Sequence, residues 1–373
     1  MTVSLRACDL RMNGSDATYV IAAGGTGGHI FPGIALGREV AARRPGARVV
    51  FVGTGQGLEA RLVPAAGFRL ETVQASGFAG KGPVARIAAL VRLPLGFREA
   101  RRLLRRLAPR AVAGVGGYAS VPVILAARSL SIPTLIHESN ALPGIANRFL
   151  SRLATRTAVG LEAANARLPR PGVVTGNPVR PEFFAAPPLD PGRSRRRLLV
   201  FGGSQGSAAL NRALTEAASL LSAEGLEVIH QTGEKWLETV REAYGELPRG
   251  WSLVPFLENL DREMSWCDLA VCRAGAMTLS ELAAAGRPAV LVPLASSTHG
   301  HQLQNARAFA EAGAAVILEE KDLTGPSLAD AAKRLLADPG RLAAMGQKAR
   351  GLAHPDAARR LADLLFDVER EAA

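Results

Sequence analysis

The chain is short of cysteine, of aromatic side chains and of any long apolar run. Its three cysteines, Cys8, Cys267 and Cys272, fit no zinc or disulfide spacing, which predicts buried thiols in a reducing cytoplasm. Aromatic residues are 5% of the total and no recognition motif accompanies the basic residues, so nucleic acid is not an expected partner. The most apolar window, Ala111 to Ala127, is interrupted by Gly114, Gly116, Gly117 and Pro122 and reads as a buried strand and helix, not a span. Residues 1–17 carry Arg6 and Arg11 without a signal-peptide apolar stretch and are expected to be a disordered extension.

Two nucleotide fingerprints are missing as well. A dinucleotide site needs glycines at i, i+2 and i+5 and a ribose-binding acid about twenty residues on. Counted from Gly25, the third position is Ile30, and the next strand ends at Val52-Gly53-Thr54 without a carboxylate. No glycine loop ends in Gly-Lys-Ser/Thr, so a P-loop is excluded. His299 and His301 form an H-x-H pair, but no further Cys, His or carboxylate cluster supports a metal, and neither metal nor cofactor is expected.

What the chain does have is glycine in the right places. Three apolar runs end in glycine clusters followed by helix-like patterns: Gly24-Gly25-Thr26-Gly27-Gly28-His29, Gly114-Val115-Gly116-Gly117-Tyr118 and Gly202-Gly203-Ser204-Gln205-Gly206. Such strand–loop–helix turns let a backbone approach a ligand closely and offer helix N-terminal N–H groups to an anion. Three of them predict a phosphorylated ligand held by two α/β halves. With 48% hydrophobic and 21% charged residues over 373 positions, two globular domains are affordable.

Strand and helix patterns alternate in both halves. Strands are expected at Tyr19–Ala23, Arg48–Val52, Ala111–Ala113, Thr134–Ile136, Leu198–Phe201, Val228–His230, Leu269–Cys272 and Ala289–Val292, with a first helix over Pro32–Arg43 and a last over Asp356–Glu371. This grammar predicts α/β architecture: two Rossmann-like, doubly wound parallel-sheet domains facing across a cleft. The pattern lapses between Pro169 and Arg197. The expected division is residues 1–177 and 178–355, with residues 356–373 packing back on the first.

The net charge of +12 is concentrated. Nine basic residues lie from Lys81 to Arg110 (Lys81, Arg86, Arg92, Arg98, Arg101, Arg102, Arg105, Arg106 and Arg110) against the single acid Glu99, interleaved with Ile87, Leu90, Val91, Leu95, Phe97 and Leu103. An anionic membrane surface or a solvated amphipathic helix accounts equally for this segment.

Several polar residues are candidates for chemistry. His29 follows the first glycine loop and is placed to act as general base or to bind a substrate phosphate. His137 and Glu138 end a strand. Ala276-Met277-Thr278-Leu279-Ser280-Glu281 opens a helix after a strand; Thr278 and Glu281 have capping-box spacing, or the helix N-terminus takes a diphosphate while Glu281 receives ribose hydroxyls. Ser204 either binds phosphate or caps the next helix.

In order, Gly24–Pro32, Gly116-Gly117-Tyr118, His137-Glu138-Ser139-Asn140, Gly176-Asn177-Pro178-Val179-Arg180 and Gly202–Gly206 resemble the MurG family, the bacterial peptidoglycan N-acetylglucosaminyltransferases of glycosyltransferase family 28. The resemblance runs from Val20 to Asp356. It implies a GT-B fold and inverting transfer of N-acetylglucosamine from UDP-GlcNAc to lipid I, giving lipid II, at the cytoplasmic face of the cell membrane as a peripheral protein. By motif it places Thr26, Gly27, Gly28, Asn140, Arg180, Ser204, Leu257, Ala276–Glu281 and Gln302 on the donor, and Gly116, Gly117, Tyr118, His137 and Glu138 on the acceptor diphosphate. His29 becomes the catalytic candidate and the 81–110 segment the docking face for the anionic inner leaflet. Ser139, where the family often has Gln, and Ser297-Thr298-His299-Gly300, where acids are common, depart from the pattern. The same scaffold also serves other lipid or natural-product transferases and a UDP-GlcNAc 2-epimerase; the His137–Asn140 and Gly176–Arg180 motifs favour the family named.

Overall fold

The computed structural model describes residues 17–25, 27–55, 57–75, 83–297 and 300–371, with the side chains of 83–92 excepted. Thr26, Thr298, His299, Cys8 and the 1–16 extension therefore lie outside the described residues.

Two parallel sheets carry the chain. The first is built from β1 (Thr18–Ala22), β2 (Arg48–Gly53), β3 (Arg69–Thr72), β4 (Ala111–Gly114), β5 (Thr134–Glu138), β6 (Arg156–Val159) and β7 (Val173–Val174), in the order β3-β2-β1-β4-β5-β6-β7. The second is built from β8 (Arg197–Phe201), β9 (Glu227–Gln231), β10 (Trp251–Val254), β11 (Leu269–Cys272), β12 (Ala289–Leu291) and β13 (Ala315–Ile317), in the order β10-β9-β8-β11-β12-β13. Central strands such as β1 and β11 are buried along their whole length, as continuous apolar runs in parallel sheets require. Both sheets reverse strand order beside their first strand, β1 or β8. Ligands of open α/β sheets collect beyond the strand ends at such a switch point.

The chain forms two compact units. Among the described residues, one comprises 17–75, 83–135 and 362–371, the other 136–361. This division falls inside β5, whereas the two sheets part where expected, between Val174 and Arg197. Loop 139–147 and residues 176–177 explain the difference, because they bond to the helices of the second sheet.

In the first unit, α1 (Gly27–Arg43) begins five residues earlier than the sequence suggests. Pro32 lies inside it, so the Gly28 carbonyl lacks its usual i+4 donor. The long α3 (Pro83–Leu107) packs on α4 (Ser120–Ser129) through Leu103, Leu104 and Leu107, all buried. The end of α13 (Ala357–Arg370) closes on β1 and α1: Tyr19 donates its hydroxyl to Glu369 at 2.7 Å, Arg43 donates to Asp363 at 2.6 Å, and the Arg43 and Arg44 guanidinium groups lie 5.1 and 4.8 Å from the Phe366 ring centre. In the second unit the core is formed by the faces of β8 and β11 with α6 (Ala208–Ser222), α9 (Ala276–Ala285) and α11 (Gly325–Leu336). Cys267 and Cys272 are buried thiols within it.

Candidate active site

In the first unit the glycine loops meet because their strands are neighbours. Ala22 of β1 is level with Val52 of β2 and Gly114 of β4, so the three following loops emerge together. The Val115 N–H donates to the Ala22 carbonyl at 3.0 Å, and the Ser120 hydroxyl bonds the carbonyls of Ala22 and Gly116 at 3.1 and 2.7 Å. Gly116 and Gly117 have φ of +102° and +82°, and their bare Cα atoms allow this approach. A Cβ at Gly117 would stand 2.2 Å from the Gly24 oxygen, and one at Gly116 would stand 2.3 Å from His29 Nδ1. The half-buried His29 ring, in the first turn of α1, is thus stacked against the second loop. Tyr118 is exposed beside it.

A fourth glycine cluster, Gly53-Thr54-Gly55-Gln56-Gly57, escaped the sequence reading. It surrounds Glu59, which opens α2 (Glu59–Ala65) and is completely buried. Any Cβ at Gly53 or Gly57 would strike its side chain. Glu59 Oε2 accepts the Gly25 N–H at 3.0 Å, while Oε1 accepts the Thr54 N–H at 3.1 Å and hydroxyl at 2.8 Å. Burial pushes this carboxyl up, but donation from the Thr54 hydroxyl and the Gly25 and Thr54 amides outweighs it and holds it below the ordinary value. A fixed negative charge therefore anchors the first glycine loop.

In the second unit, α9 is the central feature. Its N-cap is Gly275, which has no side chain to offer, and Thr278 lies three residues inside the helix. The capping box suggested by Thr278 and Glu281 is absent. The amides of Ala276, Met277 and Thr278 consequently face outward without a helical acceptor, and Leu279 N–H makes the first turn bond, to the Gly275 carbonyl at 3.0 Å. Leu279 is core, and the Ser280 hydroxyl bonds the Ala276 carbonyl and receives the Asn177 side-chain amide at 3.1 Å, so those two hold the helix in place. Ser207, not Ser204, caps α6, its Oγ accepting the Leu210 N–H at 3.3 Å. Ser204 is left exposed at the tip of the third glycine loop. Leu257, beyond β10, is half-buried.

Glu281 is half-buried, and loss of water raises its carboxyl to about 7; Arg180 opposes this shift and Asp261 adds to it. Arg180 lies 3.7 Å from Asp261 and 5.0 Å from the Phe183 ring centre. Gln302, on α10 (His301–Glu311), accepts the Ala274 N–H at 3.2 Å and the Leu294 N–H at 3.0 Å through its Oε1. With that oxygen committed, its side chain has only N–H donors to present. Arg273 forms a two-point pair with Glu320 at 3.1 and 3.3 Å, and Glu320 also takes the Ala295 N–H, which fixes the loop beyond β12.

His137 and Glu138, at the end of β5, are both buried and engaged with the chain itself. His137 is 1% exposed with Nε2 3.3 Å from the Gly176 carbonyl. Glu138, 3% exposed, receives four donors: the Asn140 N–H and side-chain amide on Oε1, and the Gly144 N–H and Asn147 amide on Oε2. A carboxylate so enclosed organises the 139–147 loop. It also aims Asn140, whose Oδ1 receives the Asn305 amide at 3.1 Å, while Asn305 Oδ1 takes the Ala141 N–H at 2.8 Å. Glu59 in the first unit, and Asn147, Asp261 and Asn305 in the second, are supporting residues that sequence reasoning missed; only the glycine spacing around Glu59 carried a readable signal.

Two Rossmann-like sheets, each with glycine loops beyond its strand ends, and an uncapped α9 in the second unit define a glycosyltransferase with the GT-B fold. The Glycosyltransferase family 28 N-terminal domain profile matches residues 19–159 and the C-terminal domain profile residues 197–361, and the chain belongs to glycosyltransferase family 28. A relative from Geobacter metallireducens, named UDP-N-acetylglucosamine–N-acetylmuramyl-(pentapeptide) pyrophosphoryl-undecaprenol N-acetylglucosamine transferase, is 42% identical over 359 residues, covering 94% of this chain and 99% of its own. One of the same name from Anaeromyxobacter dehalogenans is 43% identical over 357 residues, covering 94% and 93%. The crystal structure of Acinetobacter baumannii MurG superposes with a TM-score of 0.77 at 32% identity, covering 94% of this chain and 99% of that one. The calicheamicin glycosyltransferase CalG4, at 19% identity and TM-score 0.69, shares the fold.

Proposed function

We propose that this enzyme transfers N-acetylglucosamine from UDP-GlcNAc to the muramoyl 4-hydroxyl of undecaprenyl-diphospho-MurNAc-pentapeptide, lipid I, forming lipid II with inversion at the anomeric carbon. The observation that carries this reading is near full-length identity of 42% to transferases so named, joined to an uncapped α9 where a diphosphate needs N–H donors. His29 takes the proton of the acceptor hydroxyl as that oxygen bonds to the sugar C1. The C1–O bond to UDP breaks, and the electron pair leaves on the β-phosphate. The amides of Ala276–Thr278 and the Arg180 guanidinium stabilise that charge. Glu281 receives the ribose hydroxyls, Ser204 and the Gly202–Gly206 loop a phosphate, Leu257 the uracil, and Gln302 and Asn140 the sugar. Gly27 and Gly28, with Thr26, reach the donor, while Gly116, Gly117 and Tyr118 face the acceptor diphosphate. The functional halves are residues 1–177 and 178–355.

The acceptor is a polyprenyl lipid, so the enzyme works peripherally at the cytoplasmic face of the cell membrane. No described helix is long and apolar enough to cross a bilayer. In α3, Arg98, Arg102, Arg105 and Arg106 are exposed while Leu103, Leu104 and Leu107 are buried and Leu95 is exposed, and the arginine face is suited to the anionic inner leaflet. Incubation with radiolabelled UDP-GlcNAc and a lipid I analogue tests the assignment. Label in the lipid product is expected; no transfer, or transfer to plain diacylglycerol, overturns it.

A further inference from the structure

Arg180 has partners of its own within the second unit. Its guanidinium carbon lies 5.0 Å from the Phe183 ring centre, and Nη2 lies 3.7 Å from Asp261 Oδ1. Asp261 stands in the first turn of α8 (Leu260–Trp266), its side chain 16% exposed, and makes no other ion pair among the described residues. The same guanidinium serves Glu281 of α9, so one cation faces two carboxylates. Resting on the donor-site reading above, we infer that Asp261 is a release latch: it competes with the nucleotide diphosphate for Arg180 and takes the guanidinium back when UDP leaves. A diphosphate that claims Arg180 must break the Asp261 pair, which lowers affinity for donor and product alike. Once Arg180 has turned to the phosphates, Asp261 and Glu281 are less compensated, and this like-charge strain favours the return.

The other charged groups on elements packed around α9 do not take part. Arg350 of α12 (Pro339–Gly351) is spent on the carbonyls of Phe184, Ala284, Ala186 and Ala285, Glu182 is exposed, and Glu263 of α8 is itself pushed up by burial and by Asp261. Arg180 and Asp261 are the two charges that act on Glu281.

Calorimetric titration of the intact enzyme with UDP between pH 6 and 8 separates the possibilities. Asp261→Asn should bind UDP about 3- to 5-fold more tightly, the scale of one partly exposed ion pair. The pH below which its affinity falls should also move down, because Asp261 no longer raises Glu281. Asp261→Glu should restore wild-type values. Equal or weaker binding by Asp261→Asn with an unmoved pH profile overturns the latch, since a residue that merely aims Arg180 would weaken binding when lost. Absence of UDP binding in the wild type as well overturns the donor-site reading along with the latch.

Discussion

On the proposed donor reading, a proton on Glu281 competes with a ribose. The ordinary carboxylate value of 4.5 is raised to about 7 by loss of water, and the ionised carboxylate, with both oxygens as acceptors, is the better partner for two hydroxyl donors. The donor KM of the wild type should rise as pH falls from 8 to 6, and the KM of Glu281→Gln should be higher at pH 8 and nearly flat; steady-state kinetics across that range measures both. Stability runs the other way. A carboxyl raised on folding binds a proton more readily in the native state, so its contribution is present near the unfolded value and is lost as pH climbs toward 7. Glu281→Gln should therefore melt higher than wild type at pH 8, with little difference at pH 4.5. For His29, replacement by Ala should reduce kcat by about 100-fold or more, the scale of a general base, while UDP still binds. Unchanged turnover would remove the role. At this scale the sequence was partly legible. Motif order singled out Glu281, Gln302 and Asn140 as candidates, but Asp261 and Asn305 meet partners 81 and 165 positions away, at separations no local pattern encodes.

Among the elements, α9 and α3 teach opposite lessons. The spacing of Thr278 and Glu281 imitates a capping box, yet the helix starts at Ala276, and a side-chain-free N-cap leaves its amides to a ligand. Start signals were misleading at α1 too, because Pro32 is a favoured first residue and here sits one turn further in. Central apolar strands such as β1 and β11 were readable within a residue at either end; β3 was not, because Arg69-Leu70-Glu71-Thr72 is a short, partly exposed edge strand without a continuous apolar run. In α3, Leu103, Leu104 and Leu107 are ordinary core and several arginines stand exposed, and which reading of the basic segment applies is decided by binding to lipid. Arg101 donates to Ser129 and Arg106 pairs with Glu71, so Arg98, Arg102 and Arg105 are the residues to change. Reversing these three charges should abolish sedimentation with anionic vesicles at low salt and leave UDP binding intact. Retained sedimentation would assign the face to solvent.

On the scale of the molecule, alternating patterns correctly announce two parallel-sheet halves, and the chain returns to its first sheet through α13. Phe366 is 4% exposed, edge-on to Tyr19 at 5.8 Å and beneath two arginines. Phe366→Ala should destabilise by about 3 kcal/mol or more in urea unfolding, as large-to-small core changes do. A loss under 1 kcal/mol would mean that this helix is only draped on the surface. The Tyr19–Glu369 bond also spans 350 positions of sequence. Synthesis delivers β1 long before its cover, so on the ribosome the first sheet must wait, one apolar flank unclosed, while the whole second unit is made and can fold ahead of it. The segment that completes the first unit is thus made after the second, and a chain halted before Ala362 leaves the first unit open to chaperones and proteases.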